Sequence, residues 1–410
     1  MERVDVVIVG GGASGLMAAI AAAEAGASVV LLEAGPRLGR KIAASGNGRC
    51  NFTHRGLDPV HYHSHTPYAF SPALAQFSDE DAVDFFTDLG LPPYIDDRDR
   101  VYPYARKAGM VADALRLWAA HRGVVLRTDH RVTGISGGYG AFQIDSPAGP
   151  VEGRTVIVAC GGQAAPQLGG TTDGYALLEA LGHVSRPRHP AICPICTEKA
   201  AIRGLQGVRW WVDARFKASQ DRPDASGEIL FNADGLSGPV AFDLAYAVGE
   251  RLEGQNVRLY LDLFPDLPAE RLEAHLALRM DRLGWQPVAA FTAGLLPKPL
   301  GLLLMRRLYA GKMTDGAAAL PADMPQAFTA LAKNYPLAVT GLRPYQDAQV
   351  TAGGIDLADF DPETLMSWLV PGLFACGEVL DVTGDCGGYN LQWAWASGRL
   401  AGRSAAAFAG

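Results

Sequence analysis

The residues best placed to do chemistry come early in the chain. Gly10, Gly12 and Gly15 satisfy the spacing G-x-G-x-x-G, after an apolar run at residues 4–9 and before a helix-forming run at 16–25. The first glycine permits a tight turn. The second lets backbone approach a pyrophosphate, and the third lets helix and strand pack closely. The helix start, with Ala13 and Ser14, offers N–H groups and partial positive charge to phosphate oxygens. Gly26 is a plausible stop for that helix. Residues 28–32 read as a second strand, with Glu33 and Ala34 at its end. An acid there would bind ribose hydroxyls and disfavour a 2′-phosphate. The set reads as a dinucleotide site.

The next segment favours FAD over NAD. Residues 39–51 form a Gly/Ser/Asn-rich loop carrying Arg40, Lys41 and Arg49, with Ser45, Gly46, Asn47 and Asn51 among its polar members. Backbone N–H groups and cations in such a loop suit phosphate or flavin. Two later apolar runs read as buried strands. Residues 155–162 end in Gly161-Gly162, and residues 372–378 end in Gly377-Glu378. Gly387-Gly388 is a close-approach element, and residues 390–400 read as a helix.

These segments resemble the glutathione-reductase-like FAD superfamily. More narrowly, they resemble the bacterial aminoacetone oxidase family of FAD-binding enzymes, related to the bile-acid-operon flavoprotein BaiN. The most specific matches are Gly-Asn-Gly-Arg-Cys-Asn at 46–51 and Gly-Gly-Tyr-Asn-Leu-Gln-Trp-Ala-Trp at 387–395. The resemblance implies that Gly10, Gly12 and Gly15 face the pyrophosphate and Glu33 the adenosine ribose. Val132, in a short strand at 131–135, would contact adenine through its backbone. Gly377 and Glu378 would hold the ribityl and pyrophosphate region. Gly388, Tyr389, Asn390 and Leu391 would lie beside the flavin pyrimidine ring. A helix N-terminus there would stabilise negative charge on a reduced flavin.

The resemblance implies an α/β architecture: a Rossmann-like FAD-binding domain split by an inserted β-rich domain and a small helical domain. The boundaries are 1–188 and 350–410 for FAD, 189–264 and 334–349 for the β-rich substrate domain, and 265–333 for the helices. Extended runs at 208–212, 228–231 and 257–261 and helical runs at 270–283 and 327–333 support the division. The tail, 402–410, reads as a segment that caps or frays. No second complete strand–G-x-G-x-x-G–helix unit occurs. NAD(P)H would therefore bind transiently over the flavin, or oxygen would take the electrons.

Composition agrees with a packed enzyme. The chain has 410 residues, 49% of them hydrophobic, and 48 glycines without a collagen-like period. A net charge of −7 argues against a nucleic-acid-coating protein. Six scattered cysteines fit a reducing cytosol. The opening Met1, Glu2, Arg3 does not read as a secretory leader, and no apolar run is long enough for a membrane span. Cytoplasmic localisation is expected.

The remaining signals are weaker. Cys193 and Cys196 form C-x-x-C but lack a thioredoxin-like context, so packed thiols are the reading. His61, His63 and His65 alternate, as on one face of a strand. Flanking prolines favour a polar loop lining a substrate entrance, and no metal is expected. Tyr102, Pro103 and Tyr104 could form an aromatic wall. His54, Arg49 and Tyr389 are the catalytic candidates.

The reading is an FAD-dependent oxidoreductase. It transfers hydride between a small organic substrate and flavin N5, as an NAD(P)H-linked reductase. Its substrate would lie between the FAD domain and the insert. An oxygen-dependent amine oxidase of aminoacetone-like substrates, a flavin-dependent RNA-modifying enzyme and a non-catalytic flavin-binding module are the alternatives. No nucleic-acid or membrane partner is expected. Substrate identity and oligomeric state stay open.

Overall fold

The computed structural model describes residues 3–217, 219 and 222–410; Met1 and Glu2, read above as part of a leaderless start, lie outside the described residues. The chain divides into two compact units, residues 1–189 with 345–410 and residues 190–344.

The first unit is built on a mainly parallel sheet. The strand Arg3–Val9 lies at its centre because its valines and isoleucine are buried on both faces. Val29–Leu32 pairs parallel to it on one side, with Val9 opposite Leu32, and Val125–Arg127 continues outward. On the other side Val151–Val158 pairs parallel to it and also carries Leu373–Ala375, from late in the chain. Ala141–Asp145 and Gly134–Gly138 extend that edge as an antiparallel hairpin.

Two helices cover one region of this sheet. Ala13–Glu24 begins immediately after the first strand. It stops where Gly26 adopts φ +91°, with the N–H groups of Gly26 and Ala27 returning to Ala23 and Ala22. The C-terminal helix, Tyr389–Ala409, packs on it closely. A Cβ on Gly398 would collide with the Ser14 carbonyl, and one on Gly402 with the Ala18 carbonyl. The tail read as capping or fraying is thus helical to Ala409. Its buried Ala405 and Ala409 and this glycine groove hold it in place.

The second unit holds a closed six-stranded barrel. Its order is Ile195–Thr197, Gly235–Ser237, Ala225–Phe231, Arg209–Arg215, Arg258–Asp262 and Tyr335–Leu342, closed where Ile195 pairs with Leu342. Helices Ala269–Leu283, Lys298–Leu308 and Met324–Lys333 share an apolar core with it. Two helices add to the pieces singled out above, the first within the stretch 265–333 read as helical and the second outside it. Lys298–Leu308 has Pro297 and Pro299 at its start, where a missing N–H costs nothing. Pro239–Leu252 opens at Gly238 inside a stretch read as extended runs. Cys196 sits in a barrel strand, and Cys193 is buried just before it. Among the described residues, no helix is long and apolar enough to cross a membrane.

Candidate functional site

The glycine turn separates packing from ligand space. A Cβ on Gly10, at φ +111°, would strike the Ala159 carbonyl, and one on Gly15 would strike the Gly10 carbonyl. Both glycines are therefore needed to close strand against helix. A Cβ on Gly12 would meet nothing within 4 Å. Gly12 is also the helix N-cap, so no side chain caps the first-turn N–H groups. Of the three glycines assigned to the pyrophosphate, only Gly12 presents an open face. Ala13 begins the helix, and buried Ser14 points its hydroxyl at the Cys376 carbonyl.

Glu33 sits at the end of the second strand. One carboxylate oxygen accepts from Gly11 N–H at 2.8 Å and the other from Gly35 N–H at 2.7 Å. An ionised carboxylate has about four acceptor positions. Two remain, which suits two ribose hydroxyls. Ala34 is exposed beside it. Val132 follows His130, whose N–H donates to the Glu33 carbonyl. Val132 itself precedes the strand, which begins at Gly134 rather than 131.

The Gly/Ser/Asn-rich segment is not wholly a loop. Gly39, at φ +72°, opens a helical stretch assigned to Arg40–Gly48 that breaks at Ser45, where ψ is 153°. Gly46 and Asn47 are left-handed, near φ +57° and +55°. Ala-rich residues at 43–44 continue the turn, and the Ser-Gly-Asn-Gly run ends it. Lys41 pairs with Glu378 at 2.7 Å, and Glu378 also accepts from Thr351 N–H at 2.9 Å. The pair removes the bare negative charge that would otherwise repel a phosphate. Arg40 donates to the Gln167 carbonyl. Gly161, at φ +71°, is open, whereas a Cβ on its neighbour Gly162 would strike Glu378 and Thr351. Gly377 cannot offer its N–H to a ligand, since it donates to Ser397 Oγ at 3.0 Å.

At the other end of the site lies the start of the C-terminal helix. Gly388, at φ +113°, is its N-cap, and a Cβ there would strike the Thr53 carbonyl. The buried Asn51 amide oxygen, beside Gly388, has no partner. It is an acceptor waiting for a donor, as the N–H of a flavin ring would be. Asn390 turns inward instead. Its amide accepts from Gly384 N–H at 2.9 Å and donates to the Gly384 carbonyl at 2.6 Å. Leu391 is partly buried in the first turn.

The catalytic candidates separate. His54 stacks on Tyr389 at 5.0 Å, but its Nδ1 is taken up by the Arg55 carbonyl at 2.7 Å. Burial pushes the Tyr389 hydroxyl up to about 12, aided by the charge of Asp385. Arg49 lies over the Tyr102 ring at 5.3 Å. Tyr102 is buried and Tyr104 exposed, so residues 102–104 form no continuous wall.

Sequence reasoning missed two carboxylates. His61 and His63 converge on Asp385, at 2.8 Å and 2.7 Å, and His65 bonds Asp381 at 2.9 Å. The three histidines do not share one strand: Pro59–His61 is a 3-10 turn and only Tyr62–His63 is extended. Their alternation was visible, but the partners lie more than 300 residues onward. Asp381 is buried and one of its oxygens has no partner; that burial raises its carboxyl despite His65. Among the described residues, no group of three or more His, Cys, Asp or Glu is placed to hold a metal ion.

Over residues 4–404 the chain matches the model of the HI0933-like protein Rossmann domain. It is 34% identical to the 3-dehydro-bile acid delta(4,6)-reductase of Clostridium scindens, over 99% of each chain. It is 30% identical to the ribosomal RNA dihydrouridine synthase of Escherichia coli, over 97% of this chain and 96% of that one. Among solved structures, the 3-ketosteroid delta1-dehydrogenase of Sterolibacterium denitrificans has a TM-score of 0.54 at 13% identity, over 99% of this chain and 100% of that one. That last likeness is one of fold.

Proposed function

The chain belongs to the HI0933-like Rossmann-domain family of FAD-dependent oxidoreductases, and we propose that it is an NAD(P)H-linked reductase that adds hydrogen across a carbon–carbon double bond conjugated with a carbonyl in a small organic substrate. FAD, when bound, supplies hydride transfer at its N5. The observation that carries the FAD assignment is the open face at Gly12 beside a Glu33 carboxylate with two acceptor positions to spare. Gly12 and the first-turn N–H groups at Ala13 and Ser14 would hold the pyrophosphate, with Gly161 and the Lys41–Glu378 pair alongside. Asn51 and the backbone of Gly388, Tyr389 and Leu391 would hold the flavin ring. Residues 1–188 and 350–410 form the flavin-binding part, residues 189–264 with 334–349 the β-rich part, and residues 265–333 the helical part.

The direction of reaction rests on the relatives' names. A delta(4,6)-reductase and a dihydrouridine synthase both denote addition of two hydrogens to a double bond. A small conjugated ketone is favoured over RNA by the net charge of −7, since RNA binding draws on basic surface. The test is a panel of conjugated ketones, each incubated anaerobically with FAD-loaded protein and NADPH or NADH. A product two hydrogens heavier supports the reading. Peroxide release from amines in air, with no ketone reduced, defeats it in favour of an oxidase.

A further inference from the structure

The reduction needs a proton as well as a hydride, and neither Tyr389 nor His54 supplies it well. Burial makes the Tyr389 hydroxyl a weaker acid, and His54 leans on a neutral carbonyl. His61 differs. Its Nδ1 lies 2.8 Å from Asp385 Oδ2, while Asp385 N–H donates to the His61 carbonyl at 2.9 Å. The two residues are thus tied by backbone and by side chain. Towards an ionised carboxylate, which only accepts, the ring presents a proton on Nδ1. That leaves Nε2 as the proton-exchanging atom. A carboxylate behind an imidazole also stabilises the imidazolium, as in a catalytic triad.

The clamp is held rigidly. Asn390 locks the backbone at Gly384, the residue before Asp385, and the strand pair joins Gly384 to Tyr62. The His61 ring lies 4.7 Å from the Tyr389 ring, at the start of the helix assigned to the flavin. Its side chain is 41% exposed, so water can return a proton to it. His63 occupies the other oxygen of Asp385 and completes the clamp.

We propose that His61 is the proton donor of the reduction and Asp385 its positioning residue, an assignment that rests on the reductase reading above. The substrate's β-carbon takes a hydride, with both electrons of that bond, from the reduced flavin. The α-carbon takes a proton from His61 Nε2. The carbon–carbon π bond is lost, the flavin is left oxidised, and a nicotinamide nucleotide restores it. His61 regains its proton from water.

The test uses His61→Asn, whose amide keeps a donor towards Asp385 but has no exchangeable ring nitrogen. His61→Gln and Asp385→Asn serve as second variants should the first lose its fold. The probe is a 4,6-dien-3-one steroid, added anaerobically to flavin already reduced by NADPH. We expect FAD affinity and the rate of bleaching by NADPH to stay within about threefold, and re-oxidation by the dienone to fall roughly 10²–10⁴-fold, the span of general acid catalysis. Nitrogen NMR on the apo-protein should find His61 protonated at Nδ1, and Asp385→Asn should disturb that tautomer. Wild-type re-oxidation rates in both His61 variants, or a His61 protonated only at Nε2, would overturn the proposal alone. If no conjugated ketone re-oxidises the wild-type flavin, the reductase reading falls, and the donor assignment falls with it.

Discussion

At the residue scale, the glycine turn makes a sharp prediction. Gly12 has φ −79° and ψ −163°, a conformation open to any residue, and free space where a Cβ would go. Gly12→Val should therefore fold normally and lose FAD, with affinity down at least about 100-fold, near 3 kcal/mol. Absorbance of the purified protein and its melting curve check both halves. A yellow Gly12→Val protein would remove the turn from the site. Glu33→Ala strips the acceptor from the Gly11 and Gly35 N–H groups. Charge-assisted bonds of this kind are worth about 1.5–3 kcal/mol. FAD affinity should fall about tenfold or more by titration, with the flavin band unchanged in shape. The G-x-G-x-x-G and its acid were legible because a local stretch of sequence carries them. The His61–Asp385 clamp was not, because its two halves meet only through the pairing of Tyr62–His63 with Thr383–Gly384.

At the scale of elements, the C-terminal helix does the most positioning. Its Trp393 donates to the Gly377 carbonyl, Trp395 to the Phe52 carbonyl and Gln392 to the Phe77 carbonyl. The segments around Phe52, Phe77 and Gly377 are thereby fastened to one rod. Gly402→Leu would force that rod off the first helix at Ala18. Overpacking of this sort costs about 1–3 kcal/mol. The melting temperature should drop, and FAD affinity should weaken with it; an unchanged melt would show that the groove is slack. The helix end was hidden in the sequence because small residues in a tail read as fraying until the glycine groove opposite them is known. The helical turn at the start of Arg40–Gly48 was obscured by the glycines, serine and asparagines that made the whole segment read as a loop.

At the scale of the whole molecule, the split of a parallel sheet was implied by the family resemblance of the late segments, of which residues 373–375 return beside Val151–Val158. Closure of the second unit into a barrel was not readable, since short strands separated by a helix do not announce their partners. Stability carries a pH signature. His183 is buried, its Nδ1 on the Leu178 carbonyl and its Nε2 on Ser367 Oγ. Ser367 Oγ already accepts from Leu369 and Val370 N–H, so its own proton goes to His183. Burial lowers the His183 ring below its ordinary value. A lowered folded-state value means stability is full above the unfolded value of about 6.5 and is lost as pH falls below it through the folded value. His183→Asn should be less stable at pH 8, and its deficit should shrink towards pH 5 in paired thermal melts. A deficit independent of pH would show that His183 does not titrate on unfolding in that range.

The most direct measurement of the central claim is anaerobic mixing of the FAD-loaded protein with NADPH and, separately, NADH, while the visible flavin band is followed. The account predicts rapid bleaching by one of the two, and return of the band when a conjugated ketone is added. A band that stays oxidised with both nucleotides, yet bleaches with an amine, would contradict it.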